Sequence, residues 1–152
     1  MVPYALGAVL ALILGLRSGG PAAQRAETVD AMAPKITLQV NDTVFNATLA
    51  DNATAAAFVA RLPTSLRMAD LNDNEKFVDL PEGLPTRAST PSTIQAGDLM
   101  LYGSRTVVLF YKTFRTTYSY TPIGHIDNPG GLQDALGQKD VVVTFAALPK
   151  AQ

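Results

Sequence analysis

Short runs of alternating apolar and polar residues begin at Lys35 and continue almost to the end of the chain. Alternation with a period of two indicates a β-strand that buries one of its faces. Turn residues such as Asn41-Asp42 and Asn72-Asp73 separate several of these runs. The pattern predicts about eight strands, at residues 36–40, 45–49, 66–71, 77–80, 98–102, 107–111, 118–126 and 141–145.

Two segments between these strands have helical features instead. Asp51 or Asn52 can cap a helix that runs to Leu62 and is stopped by Pro63. A second short helix at 132–136 is followed by Gly137, in the position of a C-cap glycine. Many short strands at close spacing favour a closed barrel over a doubly wound sheet. We therefore expect a mostly β fold: a closed eight-stranded barrel with two short capping helices and a continuous core of Ile36, Leu38, Leu49, Phe58, Leu101, Val108 and Phe145.

The N-terminal segment differs from the rest of the chain. Residues 2–16 are uncharged and mostly aliphatic, but this run is shorter than the roughly 20 residues that span a bilayer. It suits the apolar region of a secretory signal, and small residues at 19–26 offer a cleavage site. We predict a signal or anchor segment with a linker at 1–31 and a barrel domain at 32–148. The protein is then exported to the periplasm or the medium, and it contacts a membrane only if the segment stays uncleaved; a true start at Met32 would make it cytoplasmic.

Composition excludes several classes of function. The net charge is −1 and no basic stripe is present, so nothing indicates nucleic-acid binding. The chain has no cysteine, which excludes disulfides and thiol catalysis. With His125 as the single histidine, a tight zinc site would have to consist mostly of carboxylates. We expect neither a metal nor another cofactor.

Residues 98–124 contain the best candidate for a site. Aromatic side chains alternate there with threonines and serines, so paired strands can form a pocket with an apolar floor and a hydrogen-bonding rim. The alternative is that these rings only fill the core and its edge. The predicted ligand-binding residues are Met68, Tyr102, Phe110, Phe114, Tyr118 and Tyr120.

Other polar residues indicate turns and surface rather than chemistry. Asp70, Asn72 and Asn74 copy the first ligands of a calcium loop, but Glu75 occupies the position where the loop needs glycine. Glu75 and Asp79 are two residues of one strand that we expect to be solvated. His125 and Asp127 are residue types that occur in a Ser-His-Asp hydrolase triad, but the chain has no G-x-S-x-G pattern to supply the nucleophile, and a surface histidine is the expectation.

Six segments in order resemble the cyclophilin fold, and more narrowly the bacterial cyclophilin-like family of small stand-alone barrels. The resemblance covers about residues 35–146, and its segments are 66–76, 96–104, 108–112, 120–126, 131–137 and 141–145. It implies an eight-stranded barrel capped by two helices. It also implies a surface pocket that, in cyclophilins, binds and isomerises proline-containing peptides.

The catalytic residues of cyclophilins are only partly matched. Their Phe-His-Arg stretch is missing, and the corresponding segment reads Ser65-Leu66-Arg67-Met68, in which Arg67 is a possible stand-in for the catalytic arginine. Phe110 matches the pocket phenylalanine. The pocket histidine precedes a glycine by four residues, and counting back from Gly124 places Tyr120 there.

Three functions remain open. The leading hypothesis is a binding module with an aromatic and threonine-lined groove for a small molecule or an extended, proline-containing peptide. The second is a prolyl isomerase that binds proline on Phe110 and Met68 and uses Arg67 as its cationic donor. The third is a structural interaction domain without a small ligand.

The export hypothesis predicts where the mature chain begins. If the apolar segment is removed after translocation, N-terminal sequencing of protein from its native host should find a first residue between Ala22 and Met32. A cytoplasmic pool that begins at Met32 would contradict export but not the barrel.

Overall fold

A computed structural model describes residues 33–149 of the chain. The predicted signal or anchor segment at 1–31 lies outside the described residues. Within 33–149, no helix has the length and apolar character needed to cross a membrane.

Ten strands and two helices make up the described region. The helices are α1 (Ala53–Val59) and α2 (Leu132–Leu136). The strands are β1 (Lys35–Val40), β2 (Thr43–Leu49), β3 (Thr64–Leu71), β4 (Glu75–Asp79), β5 (Thr93–Ile94), β6 (Asp98–Tyr102), β7 (Thr106–Phe110), β8 (Phe114–Arg115), β9 (Thr121–Ile126) and β10 (Val141–Ala147).

Eight strands close into a barrel, which confirms the predicted fold class. Their order is β1-β10-β3-β4-β7-β6-β9-β2, and β2 returns to β1. All pairs are antiparallel. The two-residue strands β5 and β8 form a separate small sheet; the sequence pattern does not predict them because two residues are too few to show a period.

Turn chemistry sets the register of the hairpins. Asn72 and Asp73 have positive φ in the loop between β3 and β4, and Asn41 has positive φ between β1 and β2. Asparagine and aspartate tolerate this left-handed conformation better than other side chains do. The segment that copies a calcium loop is therefore a hairpin turn, as expected.

The barrel interior contains the main hydrophobic core. It includes the predicted Ile36, Leu38, Leu49, Phe58, Leu101 and Phe145, all buried. Helix α1 begins at Asn52, whose side chain accepts a hydrogen bond of 2.7 Å from the backbone N–H of Ala55. Its Phe58 packs edge-to-face on Phe145 of β10, with ring centroids 5.3 Å apart, so the helix closes one opening of the barrel.

A second apolar cluster lies on the outside of the barrel and corrects the expectation for Val108. Val107 and Leu109 of β7 belong to the interior core, whereas Val108 is buried in the other cluster. Successive residues of a strand point to opposite faces, so Val108 cannot share the core of its neighbours. We call this second set the outer cluster: Ile94, Met100, Val108, Phe110 and Tyr120, with Phe77 and Phe114 packed against it.

A glycine allows β9 and β2 to approach closely. Gly124 pairs with Leu49, and a Cβ at Gly124 would lie 2.7 Å from the backbone oxygen of Thr48. Real Cβ atoms do not come this close to a backbone oxygen, so any other residue would push the two strands apart. The closure of the barrel between β2 and β9 therefore depends on the absence of a side chain at Gly124.

One interior position carries a charge. The Lys76 side chain is fully buried, and its Nζ lies 3.0 Å from a carboxylate oxygen of Asp70 and donates to the carbonyl of Lys139 at 2.8 Å. The hydroxyl of Tyr111 donates to the same Asp70 oxygen. Burial raises the pKa of Asp70, but the hydrogen bonds from Tyr111 and Lys76 outweigh it and hold the pKa below its usual value. The buried ammonium is thus paired with a carboxylate and a backbone carbonyl, as a buried charge requires.

Truncating Phe145 tests the closure of the barrel by β10. Because the side chain is fully buried against Phe58, Phe145→Ala should lower the free energy of unfolding by about 3–5 kcal/mol in denaturant titration. Val142→Thr, on the exposed face of the same strand, should change it by no more than about 0.5 kcal/mol. A loss below about 1 kcal/mol for Phe145→Ala would mean that β10 does not close the barrel as described.

Candidate ligand-binding cleft

Five of the six predicted ligand-binding residues come together on the outside of the barrel. Their rings follow one another in the order Phe114, Phe110, Tyr120, Tyr102 and Tyr118. The successive centroid distances are 5.6, 5.5, 5.7 and 6.2 Å. These separations and the tilted or edge-on angles are those of favourable aromatic pairs. We call this set the aromatic row.

Separate elements hold the members of the row in place. Phe110 ends β7 and points outward, and Phe114 belongs to β8, where it pairs with Ile94 of β5. Tyr120 precedes β9 and forms an isolated bridge with Ser89, with backbone hydrogen bonds of 3.0 and 2.9 Å. The proline-rich loop that carries Ser89 therefore fixes the position of Tyr120.

Burial divides the aromatic row into a floor and a rim. Phe110 and Tyr120 are buried, whereas Tyr102 and Tyr118 are 48% and 62% exposed. Phe110 lines neither of the cavities described next. It packs against Phe114 and Tyr120, and its contact with a ligand stays a prediction. The two readings of the aromatic stretch, core and pocket wall, each hold for some of its members.

Two adjoining cavities lie over the row. The first, which we call the tyrosine cleft, has a volume of about 350 Å³; its walls include Phe77, Val108, Tyr102, Tyr118 and Tyr120. The second, which we call the threonine groove, has a volume of about 560 Å³; its walls include Phe114, Thr90, Thr116 and Thr117. Both fall in the size range of small-molecule sites. They share Asn72, Glu75, Tyr118 and Tyr120.

Glu75 lies where the two cavities meet. It pairs with Phe110 across β4 and β7 and is partly buried, which corrects the expectation of a fully solvated residue. Burial, and then the negative charge of Asp70, raise the pKa of Glu75 above its usual value. Burial and the charge of Glu75 in turn raise the pKa of Tyr120, so this hydroxyl stays protonated at neutral pH. Asp79, also in the cleft wall, is exposed as expected and accepts a hydrogen bond of 2.6 Å from Thr106.

The structure does not bring Met68 to the site. Met68 is fully buried in the interior core, on the face of β3 opposite to Arg67. The structure thus corrects its expected place, since Met68 is not in the wall of either cavity over the aromatic row. The alternation of a strand explains why: if Arg67 points outward, its neighbour must point inward.

Arg67 lies at a different depression. Its side chain is 71% exposed and its Nε lies 3.6 Å from a carboxylate oxygen of Asp140. Together with Asp140, Gly137 and Val142 it lines a depression of about 600 Å³ that contains no aromatic side chain and shares no residue with the tyrosine cleft or the threonine groove.

The histidine forms no part of a hydrolase triad with Asp127. His125 Nδ1 lies 2.8 Å from a carboxylate oxygen of Asp98, whereas Asp127 binds Lys35 at 2.8 Å and accepts from Thr48. These two hydrogen bonds lower the pKa of Asp127. Within residues 33–149, no three side chains of the metal-binding types gather into a possible metal site.

Two polar residues of the site, Glu75 and Asn74, were not among the predicted ligand-binding residues. Glu75 and Phe77 are two residues apart on β4 and therefore share the outer face, so alternation alone would have placed Glu75 beside the aromatic rings. Asn74 lines the threonine groove, and its buried Oδ1 accepts no hydrogen bond from any described residue. No pattern in the sequence distinguishes this asparagine from its neighbours in the turn.

Comparison with known proteins gives one family and one solved structure. The family model of the cyclophilin-like family matches residues 38–146. The fold is similar to the solution structure of a hypothetical protein from Archaeoglobus fulgidus, with a TM-score of 0.52 and 16% identity over 76% of this chain and 95% of that chain. At this identity the likeness concerns the fold alone. No curated protein matches the chain significantly.

The raised pKa of Glu75 predicts that this carboxylate destabilises the barrel at neutral pH. A folded-state pKa above the unfolded value favours folding below the unfolded pKa, about 4.3, and this advantage is lost as the pH rises through the folded pKa. Glu75→Gln should therefore melt above wild type at pH 7, and the difference should close near pH 3. Asp42→Asn, which removes an exposed carboxylate in the β1–β2 turn, should not show this pH-dependent gap. A Glu75→Gln variant that melts below wild type at pH 7 would contradict the assignment.

Proposed function

The chain belongs to the cyclophilin-like family, and we propose that its barrel is a binding module without prolyl isomerase activity. The ligand is a small molecule or an extended peptide that occupies the tyrosine cleft and the threonine groove. The observation that carries this proposal is the pair of adjoining cavities that meet at Tyr118 and Glu75. A shared wall lets one ligand contact aromatic faces and polar groups at once.

The chemistry of the walls suits binding. Tyr102 and Tyr118 expose large, rigid surfaces that lose little conformational entropy when they are covered. Thr90, Thr116 and Thr117 supply hydroxyl groups to the wall of the threonine groove, and such groups fix the orientation of a ligand. The buried floor of Phe110 and Tyr120 holds the site in shape before any ligand arrives.

The geometry gives little support to an isomerase. The rotation barrier of the peptide bond is roughly 18–20 kcal/mol, and a cyclophilin-type mechanism lowers it with a cation placed beside the aromatic pocket. Here the candidate cation, Arg67, lines the separate depression with Asp140. Tyr120, which stands where the pocket histidine is expected, is neutral at pH 7 and can donate a hydrogen bond but supplies no positive charge.

The prediction that the protein lacks isomerase activity can be tested by a direct assay. Wild type and Arg67→Ala should both leave the rate of proline isomerisation in a short reporter peptide at its uncatalysed value, because Arg67, the candidate catalytic cation, lies away from the aromatic row. Clear catalysis by wild type that disappears in Arg67→Ala would overturn the proposal in favour of the isomerase.

If ligands bind at the tyrosine cleft, a mutation in the cleft should weaken binding and a control mutation outside it should not. Compounds found by NMR screening of a fragment library against the full chain should shift the ring signals of Tyr102 and Tyr118. Tyr118→Ala should weaken these compounds roughly tenfold, as loss of a central aromatic contact does. Val142→Ala, which shortens an exposed side chain in the depression beside Arg67, should not. Hits that are unaffected by Tyr118→Ala and weakened by Val142→Ala would place binding elsewhere and contradict the proposal.

A further inference from the structure

The tyrosine cleft combines aromatic rings with negative charge. Three tyrosines and Phe77 line it, together with the carboxylates of Glu75 and Asp79, and its walls contain no Lys, Arg or His from the described part of the chain. We propose that the cleft selects a small ligand that carries an aliphatic ammonium group. This inference rests on the proposed binding function and specifies the chemical class of its ligand.

The aromatic rings suit a cation. The negative face of a tyrosine ring attracts an ammonium group within about 6 Å of the ring centroid. Tyr102 is tilted towards Tyr120, with centroids 5.7 Å apart, and lies edge-on to Tyr118 at 6.2 Å. Rings turned relative to one another present faces in more than one direction, which is the arrangement that surrounds a rounded cation rather than a flat, neutral ring.

The carboxylates add charge complementarity. Among residues 33–149, no cationic side chain lies within ion-pair distance of Glu75. The adjacent Lys76 points into the barrel, where it binds Asp70, and Arg115 lines the threonine groove but not the cleft. A bound ammonium would therefore meet two negative groups and no competing cation, while an anionic ligand would be repelled.

A further feature agrees with a positive charge at this place. The raised pKa of Glu75 shows that its charged form is unfavourable in the unliganded barrel. An adjacent positive charge would remove this penalty, so binding and ionisation of Glu75 would reinforce each other.

The volume of the cleft favours a small molecule over a protein segment as the source of the ammonium. About 350 Å³ is near the lower end of small-molecule sites, and a short alkylammonium fits within it. A lysine side chain offers the same chemistry on a peptide backbone, which would have to lie along the threonine groove.

The test is an NMR titration of the full chain with butylammonium and with butanol, which have similar shape but differ in charge. Butylammonium should bind roughly tenfold more tightly than butanol and shift the ring signals of Tyr102 and Tyr118. Glu75→Gln should reduce the affinity for butylammonium several-fold and leave that for butanol unchanged. Asp42→Asn, which removes a carboxylate in the distant β1–β2 turn, should change neither affinity.

The possible failures are distinguishable. If butanol and butylammonium bind the cleft equally and Tyr118→Ala weakens both, the ammonium inference is overturned and the proposed binding function stands. If neither binds while uncharged fragments still occupy the cleft, the same conclusion follows. If a lysine-containing peptide binds tightly and butylammonium does not, the small-molecule source is wrong. If nothing binds in the cleft at all, both the inference and the proposed function fail.

Discussion

Strand β7 is buried on both of its faces, and the barrel and its candidate site both depend on this. Val107 and Leu109 point into the interior core, while Val108 and Phe110 point into the outer cluster. A slip of one residue in the register would exchange the two sets and place each in the wrong core. The floor of the aromatic row is therefore fixed by the same packing that closes the barrel, and the cleft has a rigid base.

The neighbouring strand β4 carries charged residues on both of its faces, and the surroundings of these residues differ. Lys76 points inward and is paired with Asp70, whose pKa is lowered by its hydrogen bonds. Glu75 points outward, and burial together with the charge of Asp70 raises its pKa. Adjacent residues thus carry a compensated charge inside and an uncompensated one at the cleft. A carboxylate kept where it weakens the fold is typical of a functional position, and this contrast connects the stability of the barrel to its proposed ligand.

The barrel could be predicted from the sequence because strand alternation and turn residues are local signals. The prediction of which face a residue occupies was weaker wherever a strand is apolar throughout. The run from Val107 to Phe110 shows no alternation, so nothing local indicates that Val108 faces away from the main core. Met68 was misplaced because the resemblance to cyclophilins identified a segment, but not which of two neighbouring residues points outward. The place of Glu75 beside the aromatic rings could have been predicted, since it shares a face with Phe77. The burial of the Asn74 Oδ1 depends on packing that only the folded chain shows.

The central claim is that ligands bind at the tyrosine cleft and not beside Arg67. Soaking crystals of the full chain with a fragment library, followed by structure determination, tests this most directly. We expect fragments between the rings of Tyr102 and Tyr118, in contact with Glu75. Fragments gathered in the depression formed by Arg67, Asp140 and Val142, with the tyrosine cleft unoccupied across the library, would contradict it.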